Sequence, residues 1–384
     1  MASMIDVTLV EYLALITAFV SSLVVCALIV LTQRWHGPLS LDHDLDGAQK
    51  FHKVPVPRIG GIALVLGLLA AATVTLSVTQ DTDQAHAHWL LLAGLPALAA
   101  GLWEDFTKQV SVKTRLMATF ASAALATWLM DAQLNRLDTY LLDDLMAYAP
   151  VAILFTCFAV GGVANAVNII DGFNGLAGST CVLMFAGLAA LAHGVGDTMV
   201  FQLCLMGMGA FLGFLCLNFP FGKLFLGDGG AYLAGFWLAE CGVLLLSRNP
   251  EVSTWAVLLC CIYPVWETFF SMWRKSVVRK TGMGKPDKLH FHMLVYRRGT
   301  RHLLRPSAAT WKRHLLTTVS ISALVACVQL LIATLAYQTT NHHGGFLVGI
   351  VGFALVYVSV YRGLTIRTAT TPNEDPPPPL PNTN

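Results

Sequence analysis

Stretches of about 20 mostly apolar residues recur along this sequence, and that recurrence limits its fold more than any single motif does. A run of that length crosses bilayer hydrocarbon as a helix, with its backbone polar groups satisfied inside the segment. Eleven such runs are read, near residues 7–31, 60–80, 89–103, 114–130, 149–167, 175–193, 198–218, 230–247, 255–273, 315–337 and 344–361. The third is short, and the fifth carries Gly161 and Gly162. Composition agrees, since 12% of residues are charged, against roughly 25% in soluble domains. The expectation is an all-α, polytopic integral membrane protein with about eleven transmembrane helices. One transmembrane domain should fill residues 1–365, followed over 366–384 by a disordered tail ending NEDPPPPLPNTN, too proline-rich to build a core. Only Asp6 among charged residues precedes the first run, so no cleaved leader is expected. A net charge of +2 gives no footing for nucleic acid.

The basic residues set the orientation. Loops after odd-numbered runs, with the tail, hold 22 of the 24 lysines and arginines, and only Arg136 and Arg248 fall in the other set. Lysine and arginine collect on the cytoplasmic side, so the N-terminus is expected outside and the C-terminus in the cytoplasm. The nine cysteines all lie within apolar runs and none forms a CxxC pair. They read as small buried hydrophobes, not as disulfides or metal ligands.

Nearly every unusual polar motif falls in the loops assigned to the cytoplasm. In order they hold FHKVPVPRIGG (from Phe51), GLWEDFTKQVSVKTR (from Gly101), NAVNIIDGFNGLAGS (from Asn165), FGKLFLGDGG (from Phe221) and GKPDKLHFHMLVYRR (from Gly284). The opposite loops, such as HGVGD and SRNPEV, are short and plain. Acidic groups at membrane depth are expensive and usually functional. Glu104, Asp105, Asp171 and Asp228 all sit at run ends on one face, beside lysines. That layout suits one site for an anionic ligand with a divalent cation.

Simpler readings compete with each motif. Asp171-Gly172 and Asn174-Gly175 are favoured turn pairs, but a turn alone does not require Asn168. Asp228 among Gly227, Gly229 and Gly230 suits a helix start; those glycines would also let backbone N–H groups approach a phosphate. Glu104, Asp105 and Lys108 would serve equally as a solvated loop face. His290 and His292, spaced HxH among basic residues, favour phosphate or metal contact over a purely structural role. Asp42, Asp44, Asp46 and Gly47 match the first half of a calcium loop, but the twelfth position is Lys53 where a bidentate glutamate is needed. That segment is read as an acidic loop.

Together these loops resemble the polyprenyl-phosphate N-acetylhexosamine-1-phosphate transferases, over roughly residues 50 to 300 and in that family's motif order. The resemblance is nearer the branch using UDP-N-acetylhexosamines than the one taking UDP-muramoyl-pentapeptide. It implies transfer of an N-acetylhexosamine-1-phosphate from a UDP-sugar to polyprenyl (undecaprenyl) phosphate, with release of UMP. The product would start a lipid-linked glycan for the cell envelope, lipopolysaccharide O-antigen among the outlets. The implied setting is the bacterial inner membrane, with the active site on its cytoplasmic face, and a homodimer is left open.

By the same resemblance, Asp228 is the ligand for Mg²⁺, with Mn²⁺ as an alternative, and Asp171 shares the metal site. Asp105, Glu104, Asp171 and Lys108 are the implied catalytic set. Asn168, Asn174, His290, His292, Lys53 and Arg58 are implied to bind substrate. Two positions depart from the family pattern: Glu104 replaces the first aspartate of an acidic pair, and Met293 ends what is otherwise an HxHH loop. A secondary transporter also fits eleven spans with acids at their ends, yet such sites lie near the bilayer midplane and these acids cluster at one surface. A non-catalytic scaffold gives no reason for the LGDGG and NxxDGxNG motifs.

Overall fold

In a computed structural model, the described residues are 7–41, 55–79, 85–278, 280, 289–300, 303–305, 308–338 and 343–366. Lys53, the acidic 42–53 loop and the tail from 367 onward lie outside them. The described chain is helical, its only β feature being an isolated bridge between Leu41 and Pro57. In order the helices are α1 (Val7–Ser40), α2 (Gly60–Thr79), α3 (His86–Thr107), α4 (Val112–Met130) and the short α5 (Tyr140–Met146). Then follow α6 (Ala149–Ile170), α7 (Leu176–Gly194), α8 (Thr198–Asn218) and α9 (Gly227–Arg248). The last five are α10 (Thr254–Cys260), α11 (Ile262–Trp273), α12 (Phe291–Leu294), α13 (Thr310–Gln338) and α14 (His343–Ile366).

Each of the eleven expected runs is helical, but fewer than eleven are simple spans. Among the described residues nine helices are long and apolar enough to cross a membrane, ten if the bent pair α10–α11 counts as one. The third run is not short, because α3 covers 22 residues. The departure lies instead at α4, whose first turn carries Lys113 and Arg115 and which is not among those nine. The ninth run breaks into α10 and α11, inclined by 79°. Pro264 sits in the first turn of α11 and has no N–H to reach back to the Cys260 carbonyl. That carbonyl instead accepts a hydrogen bond from Gln329 Nε2 of α13 at 3.0 Å.

At the centre runs α9, buried along its length and packed by α3, α6 and α2. Its Trp237 indole donates to the Leu203 carbonyl of α8 at 3.0 Å. Toward the outside, α1 shows Tyr12, Ile16, Val20, Val24 and Leu28 on one exposed stripe. Four-residue spacing keeps them on a single helix face, and an apolar stripe of that length suits lipid. Seven of the nine cysteines are buried and none is in a disulfide. Alternate helices run in opposite directions, so the ends of α3, α6 and α8 meet the starts of α2, α4, α7 and α9 at one end of the bundle.

Candidate active site

Close approach of three helices creates the site. The N-terminus of α9 is wedged between α2 and α3, where a side chain on Gly61 would run into the Gly230 backbone and one on Gly101 into Gly229. Gly227 has φ +76°, a backbone that glycine adopts without strain. A Cβ there would meet the Arg58 carbonyl and lie 2.6 Å from Asp105 Oδ2. The tight packing brings Asp105, near the end of α3, under the first turn of α9. Its Oδ1 accepts from Asp228 N at 2.9 Å and its Oδ2 from Gly229 N at 3.0 Å. Asp105 thus caps α9 from a neighbouring helix, satisfying donors that a helix start leaves unpaired. The N–H groups read from sequence as available to a phosphate are held by this carboxylate.

Asp228, so fixed, projects into a cluster of opposite charges and donors. Arg115 of α4 pairs with its Oδ2, Arg58 Nη2 lies 3.4 Å from its Oδ1, and Asn168 Nδ2 donates to Oδ1 at 3.1 Å. Arg58 also lies 3.5 Å from Asp105, and Arg115 lies 3.9 Å from Glu104. The longer arm of Glu104 curls round the end of α3, where its Oε2 accepts from Val110 N at 2.8 Å. Lys108 takes the left-handed conformation that ends α3, with φ 57°, and its side chain is exposed. Arg115 was not singled out from sequence, although it closes the same GLWEDFTKQVSVKTR motif.

The stretch from Asn168 to Asn174 joins this carboxylate half to a histidine half. Asp171 ends α6, and its side chain makes no hydrogen bond to the described residues. Burial, with the Asp228 and Asp105 charges adding and Arg58 opposing, pushes its carboxyl up to about 7. Gly172 faces the His292 ring, whose Nε2 would lie 3.5 Å from a Cβ there. Phe173 then packs against His292, Tyr296 and His314, with ring centroids 5.7, 4.8 and 5.3 Å away. Asn174 turns away toward the scaffold. Its Nδ2 donates to the Pro220 carbonyl at 3.0 Å, its N–H donates to His314 Nδ1 at 3.3 Å, and its carbonyl accepts from Thr318 at 2.7 Å. The next residue, Gly175, has φ +80° and donates to Asn218 Oδ1 at 2.6 Å.

His290 and His292 stack 5.3 Å apart with rings nearly parallel. His292 is buried, which pushes its imidazole down to about 3 against the opposing pull of Glu267. It is therefore neutral at ordinary pH, with Nδ1 3.4 Å from the Tyr263 hydroxyl. His290 Nδ1 lies 2.8 Å from Glu267 Oε1. Neither Tyr263 nor Glu267 stood out in the sequence, because both lie inside an apolar run that reads as a plain span.

Among the described residues no group of three or more His, Cys, Asp or Glu is arranged as a metal shell. The donor chemistry still fits a hard divalent cation, which prefers carboxylate oxygens. Glu104, Asp105 and Asp228 share two guanidiniums in the contacts above, and Asp171 adds a fourth carboxylate with no hydrogen-bonding partner among the described residues. Asp171 and Asp228 are residues that could hold such a cation.

The glycosyl transferase family 4 model matches residues 87–246, which run from α3 to α9 and include both acidic ends. A probable undecaprenyl-phosphate N-acetylglucosaminyl 1-phosphate transferase of Bacillus subtilis is 24% identical over 260 residues, covering 67% of this chain and 71% of that protein. The undecaprenyl-phosphate alpha-N-acetylglucosaminyl 1-phosphate transferase of Yersinia pestis is 26% identical over 272 residues, covering 67% and 70%. A decaprenyl-phosphate N-acetylglucosaminephosphotransferase of Mycobacterium leprae is 26% identical over 283 residues, covering 65% and 69%. The resemblance read from the polar loops thus extends through the helices that carry the acids, and residues 87–246 of this chain are similar to glycosyl transferase family 4.

Proposed function

We propose that this chain transfers an N-acetylhexosamine-1-phosphate from a UDP-sugar to polyprenyl phosphate in the bacterial inner membrane, starting a lipid-linked envelope glycan. The observation that carries this reading is the meeting of Asp105, Asp171, Asp228, Asn168, Arg58 and Arg115 at one end of the bundle. The names of the relatives favour N-acetylglucosamine as the sugar. An oxygen of the lipid phosphate attacks the β-phosphorus of the UDP-sugar. The bond from that phosphorus to the bridging oxygen breaks, and UMP leaves with that oxygen. The lipid phosphate is already anionic at neutral pH, so the nucleophile needs no strong base.

Such transfers rest on positioning and on neutralising charge. Arg58 and Arg115 offer fixed guanidiniums, the geometry best suited to phosphate oxygens. Asn168 steers Asp228, Asp105 anchors its backbone, and the stacked histidines pack against the Asp171–Asn174 turn at Gly172 and Phe173. Lys108 extends from the rim of that space. Bound Mg²⁺ would supply charge neutralisation on the diphosphate. The pattern of basic residues favours the cytoplasm as the compartment this end faces.

The test uses purified protein with undecaprenyl phosphate, Mg²⁺ and a panel of UDP-sugars, scored by UMP release. Turnover of at least one UDP-N-acetylhexosamine is expected, together with its loss in Asp228→Asn protein that still purifies as a folded species. No UMP from any donor would overturn the reading.

A further inference from the structure

Glu267 is buried within the bundle, and none of the readings above gives it work. It stands on α11 past the bend, and with Tyr263 of the same helix it reaches the histidine loop. Its Oε1 accepts from His290 Nδ1 at 2.8 Å, both oxygens lie 3.2 Å from Phe291 N, and Oε2 accepts from the Tyr357 hydroxyl of α14 at 2.7 Å. A bare carboxylate in such surroundings is costly, and here three donors from two further elements converge on it.

A second set of bonds ties the same loop to the same helices. Arg274, the residue that follows the end of α11, donates from Nη1 to the Leu289 carbonyl at 2.8 Å and to the Tyr361 hydroxyl at 2.7 Å. Tyr361 in turn donates to Leu289 O at 3.3 Å. The residues before and after His290 are therefore both fastened, and the ring itself has one nitrogen committed to Glu267. A histidine so held keeps its proton on Nδ1 and presents Nε2 outward.

We propose that Glu267 is a positioning residue for the transfer, acting through His290 by fixing its Nδ1 proton and its ring orientation so that Nε2 faces the nucleotide-sugar as an acceptor for one of its N–H or O–H groups. The proposal rests on the reading of His290 as a substrate contact. It also gives the bend in α10–α11 a purpose. A straight ninth span would carry residue 267 along the span's original axis, whereas the 79° turn swings it beneath the loop.

Two measurements test it. In the first, UMP release from UDP-N-acetylglucosamine and undecaprenyl phosphate is compared in wild type, E267Q, E267D, H290N and the E267Q/H290N double variant. The expected loss in E267Q is about tenfold or more, the range found when the partner of a ligand-bearing histidine is removed. E267D, which keeps the charge on a shorter arm, should recover part of that loss. In the double variant E267Q should add little to H290N, because its effect travels through that ring. Equal and independent losses from both changes would overturn the positioning role. H290N with unchanged activity would instead fail the reading of His290 as a substrate contact, and with it this proposal.

The second measurement does not depend on turnover. In protein labelled with ¹⁵N-histidine and reconstituted in bilayers, the His290 resonances are assigned by their absence in H290N. Wild type should show Nδ1 protonated, and E267Q should shift His290 toward a mixture of tautomers while E267D does not. An unchanged His290 signal in folded E267Q would overturn the proposal even if that variant were inactive.

Discussion

Asp105 and Asp228 lie at the heart of the site with different physical roles. Asp228 points into the open cluster, whereas both oxygens of Asp105 are engaged by backbone N–H groups of α9. In Asp105→Asn the amide would set an NH₂ against one of those N–H groups, at a cost on the order of 1–3 kcal/mol. A lower melting temperature in detergent is expected, with activity falling because Asp228 loses its support. A carboxylate held in this way is also a poor nucleophile. Direct attack by the lipid phosphate therefore predicts that labelled UMP exchanges into UDP-sugar only when polyprenyl phosphate is present. Robust exchange in fully delipidated protein would instead require a covalent sugar-phosphate on the enzyme.

Helix packing depends on where glycine is needed, and α6 provides an internal comparison. A side chain at Gly161 would enter the Phe120 ring of α4, while at Gly162 nothing lies within 4 Å. Alanine at 161 should therefore destabilise by about 1–3 kcal/mol through overpacking. Alanine at 162 should leave stability unchanged or raise it by up to about 1 kcal/mol, since glycine is the weaker helix former. Thermal unfolding of the two variants in the same detergent checks this, and a reversed order would mean that α4 and α6 do not meet at Gly161. The contact matters for function because α4 carries Arg115 and α6 carries Asn168, two of the side chains that hold Asp228, one at each carboxylate oxygen.

Across the whole molecule, the two ends of the bundle are polar in different ways. Opposite the site, Asp197 accepts from Arg248 Nε at 2.9 Å, from Asn249 Nδ2 at 2.8 Å and from Val200 N at 3.1 Å. Burial alone would raise the Asp197 carboxyl, but these bonds outweigh it and hold the group below its ordinary value of 3.8. A depressed carboxyl contributes stability that is fully present above its ordinary value and is lost as pH falls below it. Asp197→Asn should therefore lower the melting temperature at neutral pH and flatten its decline between about pH 4 and about pH 2. Orientation is testable on the same two ends. With the native cysteines replaced, including the exposed Cys216 and Cys327, a cysteine at exposed Gln109 should label only from the cytoplasm and one at exposed Glu251 only from outside. The reverse pattern would move the site to the other face of the membrane.

Hydropathy by itself determined the all-helical, membrane-spanning class, because a bilayer leaves a run of 20 apolar residues almost no alternative to a helix. The loop motifs, read one by one, also brought Asp105, Asp171 and Asp228 to a single end, since alternation of direction follows from counting spans. What each polar group does was decided only in three dimensions. Asn168 and Asn174 look equivalent in NAVNIIDGFNGLAGS, yet one steers Asp228 and the other secures the turn at Pro220. The amides of LGDGG look like a phosphate cradle until Asp105, 123 residues earlier, fills it. The break at Cys261 and the work of Glu267, Arg115 and Tyr357 were equally hidden. Hydropathy is a property of neighbours along the chain, whereas a hydrogen bond between helices depends on packing that no local stretch of sequence contains.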